Sequence, residues 1–202
     1  MPQEWLKRIK KTGQLTAFNK ATAWSVPVAA AIKTFNNLGF GVTIVAEKEE
    51  KAANIVLLFA NGPGENYQYY GDTATTDSDF KGDALHGQAT TFTDPKLKVI
   101  FFAAVFLPGK IKKATDGQKE MIVVHEFIHS AGLNDKNWHD SAGIMFSPMK
   151  EDGGGLIEYI PDKGAKPMPP IRVGAQTMCK MKMLWAGAKT TEATTDHSIP
   201  FH

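Results

Sequence analysis

Val123-Val124-His125-Glu126-Phe127-Ile128-His129-Ser130-Ala131-Gly132-Leu133 is the stretch on which the reading of this chain turns. Thr115 or Asp116 upstream can cap a helix. Met121, Ile122, Val124, Phe127 and Ile128 then make that helix apolar nearly all round, the pattern of a helix at the centre of a domain. Gly132 supplies its stop. Histidines at i and i+4 lie one turn apart on the same face, so the imidazoles of His125 and His129 can reach one ion. Glu126, beside the first of them, can take a proton from a water held by that ion. A purely structural zinc site has no use for this glutamate. The bland alternative is two ordinary helix histidines, one exposed and one buried against a hydrogen-bond partner.

Working outward, the next informative segment is Gly143-Ile144-Met145-Phe146-Ser147-Pro148. Together the two segments resemble the metzincin signature, His-Glu-x-x-His-x-x-Gly-x-x-His with a methionine-containing turn downstream. The resemblance implies an α+β zincin fold. It has a mixed twisted sheet and two major helices in an N-terminal lobe, and a small irregular C-terminal lobe ending in a helix. It also implies a Zn2+-dependent endopeptidase acting on a peptide or protein substrate, with Glu126 as general base and Met145 as the floor under the histidines. The glycine at 132 would send the chain back towards the metal.

The signature expects its third histidine at position 135, and this sequence has Asp135. Two readings stay open. Asp135 itself ligates, as in the small snapalysin-like proteases. Or the ligand is His139 in Asn137-Trp138-His139-Asp140, brought round by a longer loop, with Asp140 or Asp135 behind it. His139 is preferred, because imidazole is the commoner zinc ligand. The predicted metal set is therefore His125, His129 and His139. Some metzincins carry a tyrosine two residues past the methionine. That position is Ser147, and Tyr159 is the nearest later tyrosine. His86 reads as a surface histidine that could also sit beside the cleft, while His197 and His202 lie in a tail with no expected role.

The remaining sequence sets the frame. Helical spacing of Val28, Ala31, Ile32, Phe35 and Leu38 predicts a helix over 26–38, with Ser25 as cap, Pro27 in the first turn and Gly39 as stop. Strands are expected at 42–46, 54–60, 88–93 and 99–107, the last fully buried and closed by Pro108-Gly109. Residues 61–83 read as a long loop, and 171–185 as a closing helix whose methionines pack. The first strong element is expected near Trp24, after a solvated helical lead-in around Lys7 to Lys11. The domain reading is one catalytic domain over 1–186, with lobes at about 20–132 and 133–186 and a fraying tail from 187.

The single cysteine, Cys179, rules out a disulfide framework and a cysteine-rich zinc cluster, and is expected to be a buried, inert thiol. A net charge of +2 makes no electrostatic case for nucleic acid. No apolar run is long enough for a membrane span, and the N-terminus lacks the apolar core of a secretory signal. A monomer is favoured. A peptide substrate would add along the edge strand near Gly87–Phe92, and a pocket lined by Leu133 and residues after Met145 would set specificity. Two other functions compete. One is a thermolysin-like site with Glu151 or Glu158 as third ligand; the other is a catalytically inactive zincin-fold binding protein.

Overall fold

Val56 faces one way along its strand while Ile55 and Leu57 face the other, and all three are fully buried. A strand buried on both faces belongs inside a three-layer arrangement. The computed structural model describes residues 2–112, 114–133, 171 and 173–188. In chain order these form α1 (Lys7–Thr12), β1 (Gln14–Asn19), α2 (Ser25–Asn37), β2 (Thr43–Ala46), β3 (Ile55–Ala60), β4 (Asn66–Tyr69), β5 (Asp72–Thr75), β6 (Gln88–Thr93), β7 (Ile100–Pro108), α3 (Asp116–Ser130) and α4 (Ala175–Leu184). The class is α+β with a mixed sheet, as expected.

The main sheet has five strands in the order β2-β1-β3-β7-β6. β1 pairs parallel with both β2 and β3, and β3 pairs parallel with β7. β6 runs antiparallel to β7 at the edge, with Ala89 opposite Val105 and a register shift between Phe92 and Thr93. Under one face lie α2 and α3. Their Val28, Ala31, Phe35, Val123 and Phe127 join Leu15, Ile44, Leu57 and Val105 in the larger core. Phe35 stands edge-on to Phe127 at 6.0 Å between ring centroids. Each such large apolar side chain stabilises the fold by roughly 1.5–3 kcal/mol on burial.

The opposite face carries the antiparallel hairpin β4–β5. Tyr69 lies flat on Phe102, with centroids 3.6 Å apart and planes 7° from parallel. Tyr67, Phe80 and Phe92 complete this second core with Phe102 and Phe106. β7 is therefore apolar without interruption because Phe102, Ala104 and Phe106 face the hairpin layer while Ala103, Val105 and Leu107 face the helices.

Several expectations need correction. The sheet starts before Trp24, because β1 occupies an inner position. The stretch 61–83 is not loop throughout, since it contains β4–β5; the turn Tyr70-Gly71 has positive φ at both residues, as a two-residue hairpin turn with the sheet's twist demands. Ser25 does not cap α2. It lies within the helix after a 3-10 turn at Thr22–Trp24, and its hydroxyl donates to the Thr22 carbonyl at 2.7 Å. α4 begins at Ala175, four residues later than the expected start at 171. Cys179 is exposed, because α4 turns Thr177, Met181 and Leu184 inward and Cys179 away. Among the described residues, no helix is long and apolar enough to cross a membrane.

Candidate active site

α3 is fixed at both ends. At its start, the Thr115 hydroxyl accepts from the Gln118 amide at 3.2 Å and the Gln118 side chain accepts from the Thr115 amide at 2.8 Å, a reciprocal capping box. The last carbonyls of a helix have no partner within it. Here two indoles supply the donors. Trp5 donates to the Ser130 carbonyl and Trp185 to the Ala131 carbonyl, each at 3.0 Å. Gly132 then turns the chain with φ +122° and accepts from the Gln3 amide at 2.9 Å. The turn that carries His129 is thus held from two distant parts of the chain.

The two histidines converge. Nε2 of His125 and Nε2 of His129 are 3.1 Å apart, with ring planes at 73°. His129 is buried and His125 half-buried. Nδ1 of His129 bonds the Leu133 carbonyl four residues on. A carbonyl can only accept, so Nδ1 carries the ring proton and Nε2 of the neutral ring offers its lone pair to the shared space. Two nitrogens bound to one tetrahedral zinc at about 2.0–2.1 Å stand about 3.3 Å apart. The observed spacing and the tautomer of His129 both fit that demand. No third His, Cys, Asp or Glu completes a metal-holding group with them among the described residues.

Glu126 lies one residue on, at 3% exposure. Its side chain rests on the entrance to β6. A β-carbon built on Gly87 would stand 2.9 Å from its Cγ and 3.2 Å from its Cδ. Burial pushes the carboxyl up to about 8, against the pull of the Ala89 and Gly87 backbone amides that donate to it. A base in this range is matched to chemistry near neutral pH. The arrangement thus joins two imidazole Nε2 atoms converging on one point, a buried carboxyl on the same helix turn, and an edge strand whose backbone touches that carboxyl.

The structure brings the imidazoles of His125 and His129 together, and it buries Glu126, the next residue on the helix after His125, against the start of β6. His86 does not enter this group. Its ring stands edge-on to Phe80 in the hairpin layer at 5.7 Å, and desolvation lowers its pKa. Leu133 is no open pocket wall either, being 2% exposed within the main core. The positions Asp135, His139, Asp140, Met145, Ser147, Glu151, Glu158, Tyr159, His197 and His202 lie outside the described residues. Sequence reasoning missed Trp5, Trp185, the Leu133 carbonyl and the contact of Gly87 with Glu126. Only a glycine at the mouth of a predicted edge strand hinted at the last of these. No protein-family model matches the chain, and no curated protein matches it significantly.

Proposed function

We propose that this chain is a zincin-fold, metzincin-type zinc endopeptidase. The observation that carries the reading is the 3.1 Å convergence of the His125 and His129 Nε2 atoms beside a buried Glu126. His125 and His129 would hold the zinc, with His139 as third ligand and Asp135 as its alternative. When bound, zinc supplies Lewis-acid polarisation of the scissile carbonyl and lowers the pKa of the attacking water. Glu126 would then take a proton from the attacking water and return it to the leaving amine, a role generally worth about 10²–10⁴ in rate. β6 is the antiparallel edge of the sheet and touches Glu126. A substrate in extended conformation would add to it by main-chain hydrogen bonds. The order of α2, β3, edge strand and α3 supports the same family reading.

The test starts with purified full-length chain. Metal analysis is expected to find about one zinc per chain, and chelation to abolish cleavage of a broad peptide library until zinc is restored. Glu126→Ala is expected to keep zinc and lose cleavage by about 100-fold or more. His125→Ala and His129→Ala are expected to lose the metal. Of His139→Ala and Asp135→Ala, the variant that loses zinc names the third ligand. Cleavage by Glu126→Ala at the parent rate would overturn the mechanism. Zinc binding without cleavage of any library member would leave the binding-protein alternative standing.

A further inference from the structure

We propose that Gly87 is a positioning residue for Glu126: having no side chain, it lets the edge strand lie directly against the base, and any β-carbon there displaces the carboxyl from its place. The inference rests on the peptidase reading for its catalytic consequence, but the contact itself does not.

The geometry leaves one group to give way. A β-carbon at 87 would meet Glu126 Cγ at 2.9 Å, Glu126 Cδ at 3.2 Å and the Phe106 carbonyl oxygen at 3.0 Å. Carbon atoms in favourable contact sit about 3.5–4.0 Å apart. The Phe106 carbonyl belongs to β7, held in register opposite Gln88 and flanked by buried residues on both faces. It is backbone inside a paired strand and moves at high cost. Glu126 is a side chain, but at 3% exposure it cannot swing freely into solvent. The required shift therefore falls on the base. The other tight glycines differ in kind. Gly82 and Gly109 crowd Asn61, remote in sequence from the histidine helix, and Gly132 crowds the Gln3 carbonyl and Leu184 behind the helix end; none of these neighbours is a titratable group. At Gly87 alone among the described glycines is the close neighbour a candidate catalytic group.

The experiment compares parent, Gly87→Ala, Glu126→Ala and the double variant, all as zinc-loaded full chains. Gly87→Ala is expected to bind zinc as the parent does and to keep KM within a few-fold. Its kcat is expected to fall about 100-fold, the scale of a misplacement of about 1 Å in a reacting group. A structural role alone would not move kcat without KM and metal content. The second arm is stability. Gly87→Ala should lower Tm by several degrees in the parent. In the Glu126→Ala background the same substitution should cost less than half as much, because the crowding side chain is gone. Failure of Gly87→Ala to fold, with folding restored in the double variant, supports the proposal equally. An equal loss of Tm in both backgrounds, or a kcat for Gly87→Ala within threefold of the parent, overturns it. If the parent cleaves no peptide, or Glu126→Ala keeps parent activity, the peptidase reading falls. The stability arm then still decides whether Gly87 seats Glu126.

Discussion

Gly132→Ala tests how the metal site depends on the turn behind it. Gly132 has φ +122°, a region that L side chains enter only under strain. Backbone strain of this kind costs about 1–3 kcal/mol. The new β-carbon would also stand 2.5 Å from the Gln3 carbonyl oxygen, so the segment bracing the helix end must move. That endangers the 2.9 Å bond from the Gln3 amide to the Gly132 carbonyl, with a net worth of about 1 kcal/mol. The expected loss is thus about 2–4 kcal/mol, or about 5–15 °C in Tm for a chain of this size. The metal site should feel it too. Leu133, the next residue, supplies the carbonyl that fixes the tautomer of His129. Losing such an outer partner costs about 10–100-fold in metal affinity. The assay is urea unfolding in chelator, followed by competitive zinc titration. Gly39→Ala is the internal control. It also has positive φ, at +70°, but nothing lies within 4 Å of its β-carbon, so it should lose only about 1 kcal/mol and no zinc affinity. The reasoning is refuted if Gly132→Ala is no worse than Gly39→Ala and binds zinc as tightly as the parent.

Other substitutions probe separate parts of the same design. Trp185→Phe keeps an aromatic ring but removes the donor to the buried Ala131 carbonyl, and should cost about 1–3 kcal/mol by denaturant unfolding. Glu126→Gln should stabilise the metal-free protein at neutral pH. The Glu126 pKa is raised on folding from 4.5 to about 8, so the folded state holds its proton more tightly than the unfolded state does. Ionising the parent carboxyl therefore costs nothing below about pH 4.5, costs more as pH rises, and levels off above about 8. The gain should reach a few kcal/mol near pH 8 and vanish near pH 4, read by melting in chelator; a gain independent of pH would refute the burial argument. Asp94→Ala should destabilise the turn between β6 and β7 at pH 7, because Asp94 accepts from the Lys96 and Leu97 amides at 2.8 Å each. Those bonds hold its carboxyl below the ordinary range. The Tm difference should therefore be present above about pH 4 and disappear as pH falls through the depressed value.

What the sequence disclosed and what it hid follow from where each piece of information resides. α3 was readable because its determinants are local: a Thr115–Gln118 cap, histidines one turn apart, a glycine stop. β1 was not, because only Leu15 and Ala17 of its six residues are fully buried, and its inner place comes from pairing with β2 and β3. The β4–β5 hairpin hid behind a Tyr-Gly turn, where Asn-Gly or Asp-Gly is the recognisable signal. Cys179 was misjudged because α4 covers one face only, leaving Met183 and Cys179 outside an apolar-looking run. The site divides the same way. His125, Glu126 and His129 announce themselves by side-chain chemistry. Their supports do not, because those act through backbone atoms and absent side chains: the Leu133 carbonyl, the bare Gly87 and the strained Gly132. The Trp5 indole reaches the Ser130 carbonyl across 125 residues of chain, a separation no local pattern encodes. The consequence is mechanical. A helix motif can place two imidazoles on one face, but their 3.1 Å convergence also needs a last turn that does not fray. Here that turn is held by residues with no chemistry of their own. Loss of metal or activity from substitutions at 5, 132 or 185, with the motif intact, would be the signature of this division.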